Sequence, residues 1–144
     1  MAEYLHLLSE IVYESGLLRQ VDSLYFDEDM DSCTSIVLTF QHRIFTITAI
    51  ASDDTIELYS GNSYLANGDR LISKTEKEPW CQAIGKRIIW AWSLTNQQGY
   101  EDSLQFHFSK IDRDSSSIDS EEDILIQLIV VASSLETYWL LKAS

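Results

Sequence analysis

The residues whose types and spacing suit ligand binding lie between positions 90 and 107. Trp90 and Trp92 are two residues apart in an alternating segment, so a strand would point both rings to one face, about 7 Å apart along it. An amide-rich segment follows, and loops on rigid scaffolds often carry binding residues. The candidate ligand-binding residues are Trp90, Trp92, Asn96, Tyr100, Asp102 and His107.

Each of these residues also has an ordinary structural explanation. The tryptophan stripe continues into Ile88 and Leu94, as in a strand that faces the core, so burial is the favoured interpretation of both rings. In the loop, Asn96 can cap a turn and Gly99 can adopt a positive φ. The candidates are therefore binding residues only, and no motif identifies a catalytic residue.

The three histidines are too scattered to predict a metal centre. His6 falls on an N-terminal helix, His42 in a tight turn, and His107 on a strand face opposite an apolar stripe. No pair has the i, i+4 spacing of a zinc-binding helix. His107 would meet an acid such as Glu101 or Asp102 only if the sheet curls. Because the histidines are scattered, we predict no metal and no cofactor.

An acidic segment has the D-x-D-x-D spacing that opens a calcium-binding EF-hand loop, at Asp27, Asp29 and Asp31. The sixth position of that loop is Ser32 rather than glycine, and the twelfth is Leu38 rather than a bidentate glutamate. The segment also lies between strand patterns instead of helices. We interpret it as a solvated acidic turn.

The two cysteines, Cys33 and Cys81, form no C-x-x-C pair, because Ile84 occupies the position where a second cysteine would stand. A helix beginning near Trp80 would lower the pKa of Cys81, but the βαβ context of a thioredoxin-like site is missing. A chain with this many apolar residues needs no disulfide. We therefore expect reduced thiols and a cytoplasmic location.

Composition excludes several classes of function. Of the 144 residues, 23 are acidic and 10 are basic, so the formal net charge is −13. Clustered cations bind nucleic-acid backbones and anionic membranes, so we expect neither as a partner. No apolar run reaches the roughly 18 residues of a membrane span, and no linker-like composition divides the chain. These observations predict a single domain over residues 1–144.

Hydrophobic periodicity predicts the elements that position the candidate residues. Residues 2–15 have the spacing of an amphipathic helix, with Gly16 placed for a left-handed C-terminal cap. Short alternating segments up to Leu58 then predict a meander of antiparallel hairpins. Residues 60–77 are predicted to be irregular, and a short helix at about 79–84 precedes a second group of strands.

The second group of strands begins with the segment that carries the tryptophans. The acidic segment 110–123 is predicted to be a solvated loop. Ile124 to Ala132 is apolar on both faces, which is typical of a central strand covered on both sides. Residues 135–141 could open with a capping box, but their β-branched and aromatic residues favour a strand.

The predicted fold class is α+β, with about seven mostly antiparallel strands in one curved sheet and the N-terminal helix packed on one face. A strongly bent sheet or partial barrel is the alternative. One helix cannot cover both faces of such a sheet, so part of one face stays exposed and would mark an interface. We therefore expect a homodimer. The exposed set would be Leu125, Ile129, Val131, Tyr138 and Leu140.

The segment from Gly85 to Trp92, with Leu94 to Tyr100 and Asp102, resembles a family of small uncharacterised bacterial proteins of the cyanobacterial type. The segment from Ala51 to Ile56 is similar to a second region of that family. The resemblance implies a bacterial, cytoplasmic, single-domain protein and brings no activity. More loosely, the acidic α+β build is similar to small immunity-type proteins that neutralise a partner.

Two functions are compatible with these observations. The favoured one is a non-enzymatic, acidic protein-binding module of the immunity or regulatory type, whose partner is another protein with a basic surface. The other is a small enzyme or ligand-binding domain with a pocket between the sheet and the N-terminal helix. A filled helix–sheet interface favours the first, whereas a cavity of about 300 Å³ or more with converging polar groups favours the second.

Overall fold

The structure, a computed structural model, describes residues 2–25, 33–50, 54–61, 70–95, 97, 99, 101–110, 123–131 and 134–141. These residues form one α-helix and nine β-strands in two antiparallel sheets, which confirms the α+β class. Within them, no helix is long and apolar enough to cross a membrane.

The N-terminal helix, α1, spans Ala2–Tyr13. Its apolar side is buried, since Leu8 and Ile11 belong to the hydrophobic core. Gly16 follows with a φ of +81°, as predicted, and a Cβ there would lie 2.7 Å from Gln41 Oε1. Glycine therefore both permits the left-handed backbone and leaves room for the neighbouring turn.

The first sheet consists of β1 Leu18–Tyr25, β2 Cys33–Phe40, β3 Ile44–Ile50, β4 Thr55–Ser60 and β5 Arg70–Ser73. The strand order is β4-β3-β2-β1-β5, so the predicted meander is confirmed for the first four strands. The prediction of an irregular segment at 60–77 is wrong at β5, which pairs antiparallel with β1. A four-residue strand is too short to show a periodicity of its own.

A short 3₁₀ helix at Trp80–Gln82 leads into the second sheet. Its strands are β6 Arg87–Thr95, β7 Glu101–Ser109, β8 Ile124–Val131 and β9 Ser134–Leu141. They pair in chain order, each antiparallel to the next. The prediction of a strand at 135–141 is thereby confirmed.

The two sheets pack on each other instead of forming the one curved sheet of about seven strands that was expected. β4 lies against β7 and β8, and β2 lies against β9, while α1 contacts β6 and β4. The sheets also join at one corner, where the Leu18 amide donates to the Lys86 carbonyl over 2.8 Å and the Gly85 amide donates to the Leu18 carbonyl. A strongly bent single sheet was the predicted alternative, and this backbone connection between the two sheets is the feature of it that the structure shows.

Strand β8 shows how the two-sheet arrangement changes burial. It lies between β7 and β9, so its central position is confirmed. Coverage on both faces is wrong, because Ile126 and Leu128 are fully buried whereas Ile129 is half-buried and Val131 is 45% exposed. The other sheet covers one face of β8, and the described residues leave the opposite face partly open to solvent.

This asymmetry predicts different effects of the same substitution at two positions of β8. Ile126→Asp places an unpaired charge in the core, which costs several kcal/mol and rivals the ~5–15 kcal/mol stability of a domain. Ile129→Asp on the open face should cost about 1–2 kcal/mol. Urea denaturation followed by circular dichroism measures both variants, and equal losses would contradict the one-sided burial.

Candidate functional site

A β-bulge in β6 decides where the tryptophans point. Ile88 pairs with Phe108, but the next pair in the ladder is Trp90 with His107, so β6 has one extra residue at Ile89. Side chains alternate along a strand, and the extra residue reverses the alternation. Trp90 and Trp92 are consequently 42% and 41% exposed, and the prediction that they face the core is wrong.

The two rings belong to the outer face of the second sheet, which we call the tryptophan face. One row crosses all four strands from Trp92 through Gln105 and Gln127 to Tyr138. The face comprises Trp90, Trp92, Leu94, Ser103, Gln105, His107, Leu125, Gln127, Ile129, Val131, Ser134, Glu136 and Tyr138.

The exposed apolar surface of the described residues is concentrated on this face. Among the residues that the structure describes, six large hydrophobic side chains are exposed, and four of them lie on the tryptophan face. The four are Trp90, Trp92, Val131 and Tyr138. Val131 and Tyr138 were expected to be exposed, and both are. Leu125 and Ile129 are half-buried, and the Leu140 side chain lies outside the described residues.

Hydrogen bonds hold the polar centre of the face in place. Gln127 Nε2 donates to Ser103 Oγ over 2.9 Å, and Gln105 Nε2 donates to Gln127 Oε1 over 3.3 Å. The bonds link β7 to β8 on the outer side of the sheet. The amides therefore have set orientations before any ligand arrives, which lowers the entropy lost on binding.

His107 has a carboxylate partner that the sequence analysis did not identify. Asp123 Oδ2 lies 3.0 Å from His107 Nε2, and Ser109 Oγ donates to Asp123 Oδ1 over 2.7 Å. The acids expected near His107 were Glu101 and Asp102, and residue 123 was predicted to lie in a solvated loop. Asp123 is instead 4% exposed and immediately precedes β8. Its position directly before an apolar strand is the feature of the sequence that could have indicated its burial.

The three residues do not form a hydrolase-type triad, although serine, histidine and aspartate are all present. In such a triad the histidine stands between the serine and the aspartate and accepts the serine proton. Here Asp123 stands in the middle and accepts from Ser109, which is 1% exposed. The group ties β7 to the start of β8 and orients the His107 ring at the margin of the tryptophan face.

Of the remaining candidate residues, the structure describes Asp102. Asn96 and Tyr100 lie outside the described residues. Asp102 is half-buried at an irregularity of the ladder, between the pairs Leu94–Ser103 and Thr95–Glu101. Gly99 has a φ of +88°, as its predicted turn role requires.

The described residues contain neither a group of metal ligands nor a pair of cysteines in a disulfide. No group of three or more His, Cys, Asp or Glu side chains there could hold a metal ion. The D-x-D-x-D segment lies outside those residues. Burial raises the pKa of Cys33 from 9.0 to about 11, which keeps it a thiol near neutral pH. Cys81 is half-buried, and both cysteines are free.

One protein-family model matches most of the chain. A model described as a family of unknown function, DUF6334, matches residues 8–144. The chain belongs to the DUF6334 family. The matched segment includes every residue of the tryptophan face together with Ser109 and Asp123. The whole candidate site of this DUF6334 protein therefore lies within the residues that the family model matches. No curated protein and no solved structure matches the chain.

The buried carboxylate at the margin of the face predicts a stability effect. Asp123→Ala removes the acceptor that Ser109 and His107 share, and the loss should be about 1–3 kcal/mol of unfolding free energy. Glu136→Ala, an exposed carboxylate on β9, is the matched control and should change stability by less than about 0.5 kcal/mol. Urea denaturation at neutral pH gives both values. An Asp123→Ala midpoint equal to that of the parent would show that this group ties nothing together.

Proposed function

We propose that this DUF6334 protein is a non-enzymatic protein-binding module and that the tryptophan face is its contact surface. The observation that carries the proposal is the composition of the face. It holds four of the six exposed large hydrophobic side chains of the described residues, whereas its one exposed carboxylate is Glu136. Aromatic enrichment with few charges is typical of the centre of protein interfaces.

The geometry of the face supports this proposal. Tryptophan and tyrosine are the residue types that most often dominate binding energy at interfaces. Trp92 and Tyr138 lie at opposite ends of one cross-strand row, with the Gln105 and Gln127 amides between them. A surface of this kind offers apolar anchors at its edges and fixed hydrogen-bonding groups at its centre.

Charge gives the partner a further property. The chain has a formal net charge of −13, and almost none of it lies on the described tryptophan face. Acidic residues outside a contact surface affect the rate at which two proteins meet. They would speed association with a protein that is basic around its own contact surface. This is the behaviour expected of an immunity or regulatory protein, the class to which the acidic α+β build is similar.

The alternative, an enzyme or ligand-binding domain with a pocket beside the helix, has less support. Leu8 and Ile11 of α1 are buried in the core, and Leu7 and Val12 pack against it. The helix therefore meets the strands through apolar contacts. His107, one of the candidate ligand-binding residues, is hydrogen-bonded to Asp123 at the opposite surface of the sheet.

Affinity capture from a lysate of the source organism tests the proposal with matched variants. The parent and a Trp90→Ser/Trp92→Ser variant are compared with Leu71→Ser, which alters an exposed leucine outside the face. Loss of both anchors should weaken binding of the captured protein by about 30-fold or more, since a binding hot spot contributes ~2 kcal/mol or more. Leu71→Ser should bind as the parent does.

The comparison depends on folded variants, so the near-ultraviolet circular dichroism of Trp80 and the other buried rings is the fold control. A protein that the parent and the double variant capture equally well would contradict the proposed contact surface. A turnover assay that identified a substrate would contradict the non-enzymatic assignment.

A further inference from the structure

We propose that the occupant of the tryptophan face is a second copy of this chain, packed face to face across a two-fold axis. The inference rests on the proposed function, since both use the same face, and it names the partner. The juxtaposition that carries it is the row of Trp92, Gln105, Gln127 and Tyr138 across the four strands.

That row is complementary to itself. A two-fold axis in the plane of the interface, parallel to the strands and between β7 and β8, lays β6 of one copy over β9 of the other. Trp92 then meets Tyr138 of the second copy, and Gln105 meets Gln127 of the second copy. Aromatic rings contact aromatic rings, and amides, which both donate and accept, face amides. Such an isologous contact is the commonest route to a dimer.

The charge distribution allows a second copy to pack on this face. Two chains of net charge −13 repel each other unless the surfaces that meet carry little of that charge. On the described face, Glu136 is the exposed acid, and its row also contains Leu94. In the two-fold arrangement each Glu136 lies over Leu94 of the other copy, and the two carboxylates stand roughly 14 Å apart, beyond the ~8 Å screening length at physiological salt.

The area of the face agrees with a weak dimer. Four strands span roughly 19 Å, and eight residues extend roughly 27 Å, so each copy contributes a plane of about 500 Å². Two such planes reach about 1,000 Å², the lower limit for a specific interface. Together with the repulsion between two acidic chains, this size predicts a weak dimer that dissociates on dilution. The acids stay outside the contact, where a dimer would present them to a basic partner.

Sedimentation equilibrium of the full chain between 1 and 200 μM, at 50 and 500 mM NaCl, tests the proposal. The parent should show a monomer–dimer equilibrium that added salt strengthens, because salt screens the like charges. Trp92→Ser and Tyr138→Ser should each weaken the dimer at least about tenfold. Tyr13→Ser, at an exposed tyrosine on α1, is the control and should leave the equilibrium unchanged.

Two results would overturn the dimer. One is the mass of a single chain at every loading and both salt concentrations. The other is a dimer that Trp92→Ser and Tyr138→Ser, both shown to be folded by circular dichroism, leave as strong as in the parent. If the chain is monomeric and the face still captures another protein, the second copy is rejected and the protein-binding role stands. If it is monomeric and capture does not depend on Trp90 and Trp92, both proposals fail.

Discussion

The apolar layer between the two sheets is the interaction on which the rest of the structure depends. Its centre contains aromatic rings in edge-to-face contact, with the centroids of Phe106 and Phe108 6.4 Å apart and those of Trp80 and Phe108 also 6.4 Å apart. Each strand contributes alternate side chains to this layer, so each sheet has one face committed to the core. The outer face of the second sheet, which carries exposed side chains, is then a surface that the protein can present to other molecules.

Within that constraint, the bulge at Ile89 determines what the second sheet presents. Without the bulge, an unbroken alternation through Ile89 that buries Ile88 would also bury Trp90 and Trp92, and the outer face of β6 would carry the small side chains of Ala91 and Ser93. With it, the two largest side chains of the strand are exposed beside fixed amides. Bulges often re-aim side chains at functional positions, and the redirected tryptophans are the basis of the proposed contact surface.

Periodicity predicted most of the fold because most elements bury one regular stripe. The helix, the meander and β9 each follow their own pattern of apolar residues. The division into two sheets was not predictable in the same way, since it depends on which strands meet across the core rather than on any single segment. Strand β5 was missed because four residues of mixed polarity carry no periodic signal.

The sequence predicted some of the site residues but not their orientation or their partners. Trp90, Trp92 and His107 were identified by residue type, and the structure places all three on one face. Their orientation was wrong because a bulge adds one residue without a strong mark in the sequence. Asp123 was missed because its partners, His107 and Ser109, are joined to it by strand pairing between β7 and β8 and not by sequence spacing.

The exposure of the tryptophan face is measured most directly by the indole N–H signals of the four tryptophans, recorded by NMR with a soluble paramagnetic probe. In dilute solution, the signals of Trp90 and Trp92 should be strongly broadened, whereas that of Trp80, 3% exposed in the core, should stay sharp. As the protein concentration rises, Trp90 and Trp92 should become protected. Protection of both rings in dilute solution to the same degree as Trp80 would contradict the outward-facing tryptophans and the contact surface built on them.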